Sequence, residues 1–169
     1  IWVNPGEDLN GDGIWDSSDI NGQDDDGNGY IDDGVGWDLG VGDNNPSEET
    51  PTHGTHVAGD ASEVTDNGLR GAGIGFRARL MPVKGANRSG QLTMVYQGMT
   101  YASENGAHVI NCSWGSAQYV GQYQNLMNAI WANGVVIVAA AGNDGVSSMF
   151  YPAGYNNVVS VVATDQTDH

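Results

Sequence analysis

The sequence is poor in positive charge, in cysteine and in long apolar runs, and each shortage argues against a class of protein. It has 5 Lys and Arg residues against 21 Asp and Glu residues, so the formal net charge is −16 over 169 residues. Because like charges repel at long range, neither nucleic acid nor an anionic membrane surface is an expected partner. No apolar stretch has the roughly 18 residues that a membrane span requires. The sequence does not begin with a basic segment followed by an apolar run, which is the pattern of a signal peptide.

The single cysteine, Cys112, cannot form a disulfide within the chain, so cysteine usage does not decide the redox compartment. Nothing around Cys112 marks it as a nucleophile, and we expect it to pack in the core. The length suits one domain with a core of its own.

The acidic residues are concentrated in the first part of the chain. Residues 1–69 hold 17 of the 21 acidic residues and no Lys or Arg. The segment DLNGDGIWDSSD, here called the first acidic loop (residues 8–19), has the spacing of a twelve-residue calcium loop, with glycine at position 6 for the turn and a backbone carbonyl at position 7. Its predicted ligands are Asp8, Asn10, Asp12, the Ile14 carbonyl, Asp16 and Asp19.

A second acidic loop, residues 24–35, repeats this spacing less completely, because position 12 is Val35, which has no side-chain ligand atom. Its predicted ligands are Asp24, Asp26, Asn28, the Tyr30 carbonyl and Asp32. Oxygen ligands in a flexible loop favour Ca²⁺ over Mg²⁺, which demands octahedral geometry, and over Zn²⁺, which prefers nitrogen and sulfur. The alternative is that both segments are solvated turns whose Asp and Asn side chains bond the local backbone.

Beyond the acidic segment, apolar runs alternate with amphipathic stretches. Strands are predicted at 79–84, 108–113, 135–141 and 158–163, and helices at 91–107 and 119–133. Pro82 requires an edge position or an irregularity in the first strand, and the unbroken apolar run VVIVAAA is typical of a strand covered on both faces. This alternation predicts an α/β fold with a parallel sheet and right-handed crossovers. Functional sites in such sheets lie at the carboxyl ends of the strands.

The segment HGTHVAG, residues 53–59, predicts a helix that begins at a histidine, His53. An exposed histidine at a helix start can exchange protons near neutral pH. His56 lies three residues on, so a zinc pair is an alternative, but the segment has no HExxH pattern and no third ligand nearby.

Six segments, in this order, resemble the subtilisin-like serine proteases (subtilases) from Thr52 to His169: HGTHVAG, RGAGIGFRARLMPVK, SGQ, VINCSWGS, VVIVAAAGNDG and YPAGYNNVVSVVATD. The acidic segment is similar to an insertion that some secreted bacterial subtilases carry before the histidine motif. The resemblance implies a three-layer αβα subtilisin-like domain, incomplete in this chain, that acts on protein or peptide substrates outside the cell.

Residue by residue, the resemblance implies that His53 is the general base of an Asp-His-Ser triad. It implies that Asn143 donates to the oxyanion hole; taken alone, Asn143 reads as a turn residue before Asp-Gly. The residues implied to bind substrate are Ser89, Gly90 and Gln91 as an edge that pairs with the substrate backbone, and Ser113, Trp114, Gly115, Ala141 and Gly142 as walls of the primary specificity pocket.

Two of the family's motifs do not occur in this sequence. They are the DTG-type motif of the triad aspartate and the GTSMA-type motif of the nucleophile, and Asp38 matches a different part of the family pattern. We therefore expect a segment of a longer protease. Two alternatives are a calcium-stabilised, inactive binding or assembly module and a chain that completes its site with another chain. We also expect an apolar sheet edge at VVIVAAA, to be covered by the rest of its own chain or by a self-association partner.

Overall fold

The α/β fold predicted from the sequence is confirmed by a computed structural model, which describes residues 1–48, 52–69 and 71–167. The chain divides into two compact units, Ile1–Gly98 and Met99–His169. Its elements are β1 (Trp37–Asp38), α1 (His53–Ser62), β2 (Val83–Lys84), α2 (Val95–Glu104), β3 (Val109–Cys112), α3 (Gly121–Ala132), β4 (Val136–Ala140) and β5 (Val158–Val161). No helix in the described part of the chain is long and apolar enough to cross a membrane.

In the first unit, β1 and β2 pair in parallel. The strand expected at 79–84 is shorter, since it begins only after Pro82, which has no N–H to donate. The strands approach closely at Gly36, where φ is +124° and a Cβ would lie 2.0 Å from the Pro82 carbonyl oxygen. Across the pair, Lys84 Nζ lies 2.9 Å from Asp38 Oδ2; the Asp38 side chain is buried and that of Lys84 is 10 % exposed. Asp38 is therefore engaged in a structural ion pair.

Helix α2 begins four residues later than the apolar spacing predicts. The residues before it form a turn, in which Ala86 bridges Leu92 and the N–H groups of Thr93 and Met94 both donate to the Gly85 carbonyl. The helix ends close to Gly106, whose φ is +85°. The end of the helix therefore agrees with the sequence pattern, and its start is set by the turn.

In the second unit, β3, β4 and β5 form a parallel sheet in that order. One face is buried: Ile110, Cys112, Ile137 and Ala139 are each at most 8 % exposed, and α3 lies against β4. Helix α3 contributes Met127 and Ile130 to this core.

The opposite face of this sheet is open in the described structure. Val109, Val136, Val159 and Val161 are between 36 % and 59 % exposed. Two expectations about the run VVIVAAA are therefore wrong: β4 is covered on one face only, and it is the central strand of the sheet, so the exposed apolar surface is a face and not an edge.

Helix α1 is capped by a side chain from outside the helix. Its N-cap residue, Thr52, makes no side-chain capping bond. Instead, the Glu48 carboxylate accepts hydrogen bonds from the Thr52, Gly54 and Thr55 N–H groups at 2.9, 3.2 and 3.0 Å and from the Thr55 hydroxyl at 2.6 Å. The Thr55 hydroxyl and these N–H groups lower the pKa of Glu48 to about 2. Glu48 therefore fixes the start of the helix at His53.

We predict that Glu48→Gln destabilises the folded protein at neutral pH by about 1 kcal/mol, the usual value of a helix cap. The folded-state pKa is depressed from 4.5 to about 2. The stabilisation is thus complete above the ordinary pKa and is lost as the pH falls through the folded-state value. Thermal unfolding of wild type and variant should differ at pH 7 and converge on acidification.

Glu104→Gln is the matched control, since Glu104 is exposed in the last turn of α2 and its loss should be neutral or slightly favourable. A Glu48→Gln variant that melts like wild type at neutral pH would contradict the cap.

Candidate functional site

The two histidines of HGTHVAG have different surroundings. His53 is exposed as the first residue of α1. His56 Nδ1 lies 3.4 Å from Asp60 Oδ2, and both side chains are more than two-thirds exposed. Within the described ranges, neither histidine belongs to a group of three metal-ligating side chains.

In the second unit, a cavity of about 270 Å³ lies at the carboxyl ends of the strands. It combines apolar walls with a few polar groups, as small-molecule and peptide sites do. Three residues singled out from the sequence, Ser113, Gly142 and Asn143, lie together in its lining. The full lining is Asn111, Ser113, Val138, Ala139, Ala140, Gly142, Asn143, Val161, Val162 and Ala163.

The three other pocket residues predicted in this unit lie outside that lining. The Ala141 N–H donates to the Val161 carbonyl at 2.8 Å, and Trp114 is half-buried. A Cβ on Gly115 would fall 2.4 Å from the Phe150 ring and 2.5 Å from the Tyr151 carbonyl oxygen. Gly115 therefore allows the chain at 150–151 to pack against the strand end.

Asn143 follows β4 directly after the left-handed Gly142, whose φ is +104°. It is exposed, and its side-chain amide bonds to none of the described residues. A rigid strand thus presents an amide donor at the cavity. Such a donor can stabilise negative charge that develops on a bound group.

The segment 89–91 forms a turn in place of the extended edge that the family resemblance implies. Asn87 Oδ1 accepts from the N–H groups of Ser89 and Gln91, and the Asn87 N–H donates to the Gln91 carbonyl at 2.9 Å. Gly90 has φ +80° at the tip. Ser89 and Gly90 are exposed, whereas both backbone groups of Gln91 are already bonded.

The first acidic loop is organised by carboxylate-to-backbone hydrogen bonds. Asp8 accepts from the N–H groups of Gly11, Asp12 and Gly13. Asp19, which is fully buried, accepts from Leu9 and Asp16 and so joins the two ends of the loop. Short turns at Asn10, Asp12 and Asp16 and a bond from Asn10 Nδ2 to the Ser18 hydroxyl at 3.1 Å complete the loop. At Asp16, the Ser18 N–H and hydroxyl lower the pKa of the carboxyl. Ile14 is exposed.

The second acidic loop is held in the same way. Asp24 accepts from Asn28 and Gly29, and the Asn28 side-chain oxygen accepts from Tyr30. Asp32, at φ +54°, accepts from Asn21 and Gly22. Both loops thus contain the side-chain-to-backbone bonds expected of solvated turns, which are the alternative to calcium binding. The side-chain ligand atoms predicted in both loops are all oxygens, which is also compatible with calcium.

Across residues 1–48, 52–69 and 71–167, one group of three acidic side chains converges: ligand atoms of Glu7, Asp26 and Asp33 lie within 4.8 Å of one another. Only Asp26 was predicted from spacing. Glu7 precedes the first loop, and Asp33 is out of the twelve-residue register. Burial raises the pKa of Glu7, and the charges of Asp33 and Asp26 raise it further, while the Asp25 and Asp26 N–H groups act in the opposite direction.

Cys112 lies in the core, as expected from the sequence. It is 1 % exposed, and burial raises the pKa of its thiol to about 12. A thiol in that state is not a nucleophile at neutral pH.

The chain resembles known proteases over most of its length. A thermophilic serine proteinase of Bacillus sp. (strain AK1) is 41 % identical over 79 % of this chain and 33 % of its own. Thermitase of Thermoactinomyces vulgaris is 40 % identical over 79 % of this chain and 48 % of its own. Subtilisin Savinase of Lederbergia lenta is 40 % identical over 69 % and 44 %. The chain therefore spans about a third to a half of the length of these relatives.

A solved structure agrees with these sequence relatives. The protease domain of PatA, solved as a mutant, superposes with a TM-score of 0.60 at 29 % identity, over 68 % of this chain and 43 % of that one. The sequence profile of the subtilase family, peptidase S8, matches residues 10–169. The chain thus belongs to the subtilase family of serine proteases.

Proposed function

We propose that this chain forms part of a subtilisin-type serine endopeptidase that hydrolyses peptide bonds in secreted form. The observation that carries the proposal is the position of His53, exposed at the first residue of a helix whose start Glu48 fixes. In this proposal the triad aspartate and serine come from segments of the protease outside residues 1–169.

His53 acts as the general base. Its imidazole takes the proton of the serine hydroxyl as the serine attacks the substrate carbonyl, and then returns that proton to the leaving amine. This role requires an imidazole that is solvent-accessible and held in one place. The exposure of His53 and the hydrogen bonds that Glu48 accepts from Thr52, Gly54 and Thr55 at the helix start support both requirements.

Asn143 donates its side-chain amide to the oxygen on which negative charge develops. Its support is the cavity at the strand ends, where the amide follows β4 and bonds to no described residue. Ser113 and Gly142 contribute walls of the same cavity. Trp114, Gly115 and Ala141 are assigned to the substrate pocket by the family resemblance, as neighbours of these residues in sequence. Ser89, Gly90 and Gln91 contact the substrate from their turn, through its exposed tip.

Calcium is proposed as a structural ion of the acidic loops. The side chains that would hold it are carboxylate and amide oxygens, with the carbonyls of Ile14 and Tyr30 as backbone donors. The ion supplies positive charge to a segment that contains no Lys or Arg. The ion would stabilise the fold and would take no part in the hydrolysis.

We predict that His53→Ala in the complete protease lowers kcat by on the order of 10⁶, the loss known for the same triad in subtilisin. Because His53 is exposed, the melting temperature should be unchanged. His108→Ala is the matched control, since His108 is also exposed and lies at the start of β3. Peptide hydrolysis and labelling by a fluorophosphonate probe are the measurements.

Turnover retained by His53→Ala would refute the role of this residue. A complete wild-type protein that the probe does not label would instead support the inactive, calcium-stabilised module.

Asn143→Ala should lower kcat by on the order of 10² to 10³ with little change in KM, because the bond forms mainly in the transition state. Asn125→Ala, at an exposed position of α3, serves as the control. An equal loss in both variants, or a change confined to KM, would rule out an oxyanion donor at Asn143.

Removal of calcium by EDTA should lower the melting temperature of the complete protease, and excess Ca²⁺ should restore it better than Mg²⁺. A site filled at 100 times its Kd contributes about 2.7 kcal/mol. Asp12→Ala should reduce the calcium-dependent shift, and Glu104→Ala should leave it intact. The loop assignment fails if Asp12→Ala and wild type respond identically to Ca²⁺.

A further inference from the structure

Asparagine is followed directly by glycine at six places in the sequence: Asn10, Asn21, Asn28, Asn67, Asn105 and Asn133. We propose that Asn67, which precedes Gly68, is a site of spontaneous covalent modification, at which the side-chain amide is lost through a cyclic imide and replaced by aspartate and isoaspartate. The reaction consumes only water and is independent of proteolytic activity.

The reaction is an attack of the chain on its own side chain. The Gly68 nitrogen loses its proton to hydroxide and bonds to Cγ of Asn67, and the side-chain nitrogen takes up a proton and leaves as ammonia. Water then opens the cyclic imide at either carbonyl, which gives aspartate or isoaspartate with no change of oxidation state. The local structure favours this attack where the nitrogen is unhindered and free to lose its proton, and where a donor faces the side-chain oxygen, on which negative charge develops.

Asn67 lies in an exposed bend that meets these conditions. Its side-chain oxygen accepts a hydrogen bond from the Leu69 N–H at 3.0 Å, which folds the side chain back toward the intervening Gly68 nitrogen. Gly68 has no side chain, and a Cβ there would have nothing within 4 Å. The Gly68 N–H donates to none of the described residues. The attacking nitrogen is therefore open, and its target is held close to it.

The three Asn-Gly pairs of the acidic segment share this bend but not the open nitrogen. Asn10, Asn21 and Asn28 each accept a bond from the N–H two residues later, at 2.8 to 2.9 Å. In each pair a carboxylate accepts from the glycine N–H at 2.9 to 3.0 Å: Asp8 from Gly11, Asp32 from Gly22 and Asp24 from Gly29. A negatively charged acceptor stabilises the protonated nitrogen. The attack therefore requires this bond to break first.

The two Asn-Gly pairs of the second unit are restrained in other ways. Asn105 is half-buried, and its side-chain nitrogen donates to the Tyr101 carbonyl at 3.0 Å. The Gly134 N–H, which follows Asn133, donates to the Trp131 carbonyl at 2.9 Å. Each bond opposes the reaction, because it holds either the leaving amide or the attacking nitrogen.

The modification would change the charge of the bend and leave its attachment to α1 in place. The N–H groups of residues 73–75 donate to the carbonyls of Glu63, Asp60 and Ala61 at 2.8 to 3.2 Å. Asn67 takes part in none of these bonds. Aspartate adds one negative charge next to Asp66, and isoaspartate also lengthens the backbone by one carbon.

The test follows deamidation in the full-length protein, kept in mildly alkaline buffer with a serine-protease inhibitor. Peptide mapping by mass spectrometry gives the rate at each Asn-Gly pair, and methylation by an isoaspartyl methyltransferase identifies isoaspartate. We expect Asn67 to react at least about tenfold faster than the three pairs of the acidic segment, the factor for losing one hydrogen bond to a charged acceptor. In denaturant, the four rates should converge because the protecting bonds are lost.

Asn67→Gln is the matched variant, because glutamine keeps an exposed amide but its longer side chain forms a cyclic imide far more slowly. It should abolish the reaction at this position, leave the other pairs unchanged and melt like wild type.

A native rate at Asn67 that equals or falls below the rates in the acidic segment overturns the proposal. A product that contains aspartate but no isoaspartate also overturns it, because it indicates direct hydrolysis of the side chain. A difference in rate that persists in denaturant has the same result, since its cause would be the local sequence and not the fold.

Discussion

The first unit depends on one interaction, a carboxylate that accepts hydrogen bonds from backbone N–H groups. Asp8 and Asp19 shape the first acidic loop in this way, Asp32 closes the second, and Glu48 caps the helix that begins at His53. The bonds of Asp8 and Glu48 span three to seven residues and serve local structure, whereas Asp32 accepts from amides 10 and 11 residues earlier and so closes a longer loop. Such a bond also leaves the negative charge in place, since an N–H dipole does not neutralise a carboxylate. The calcium proposed above would therefore bind to carboxylates that also order this unit.

The second unit was largely predictable from the sequence, because its helices and strands follow the periodicity of apolar residues and its helices end at glycines. The strands after His108 and Gly134 and the helix that ends before Gly134 lie within one or two residues of the expected bounds. Ser113, Gly142 and Asn143 were implied by the family resemblance, and the rule that sites form at the ends of parallel strands fits their positions after two neighbouring strands. One cavity contains all three in its lining.

Elsewhere, long-range contacts override the local pattern. Leu92 fits the helical spacing, but its bridge to Ala86 delays the start of α2. No helix-cap motif predicts the role of Glu48, because Glu48 lies four residues before the N-cap residue, Thr52. The twelve-residue calcium-loop pattern does not identify Glu7 and Asp33. Their convergence with Asp26 depends on how the whole segment folds back on itself. A linear motif cannot describe carboxylates that converge although they are 26 residues apart in the chain.

The buried thiol of Cys112 provides a way to measure how often the sheet of the second unit opens. It is the only cysteine of the chain, it lies on the covered face of β3, and its pKa of about 12 keeps it protonated and shielded from thiol reagents while the strand is in place. Modification then requires the sheet to open, so the labelling rate at Cys112 reports the equilibrium between closed and open sheet. Cys112 is thus a natural probe of local unfolding beneath the cavity at the strand ends.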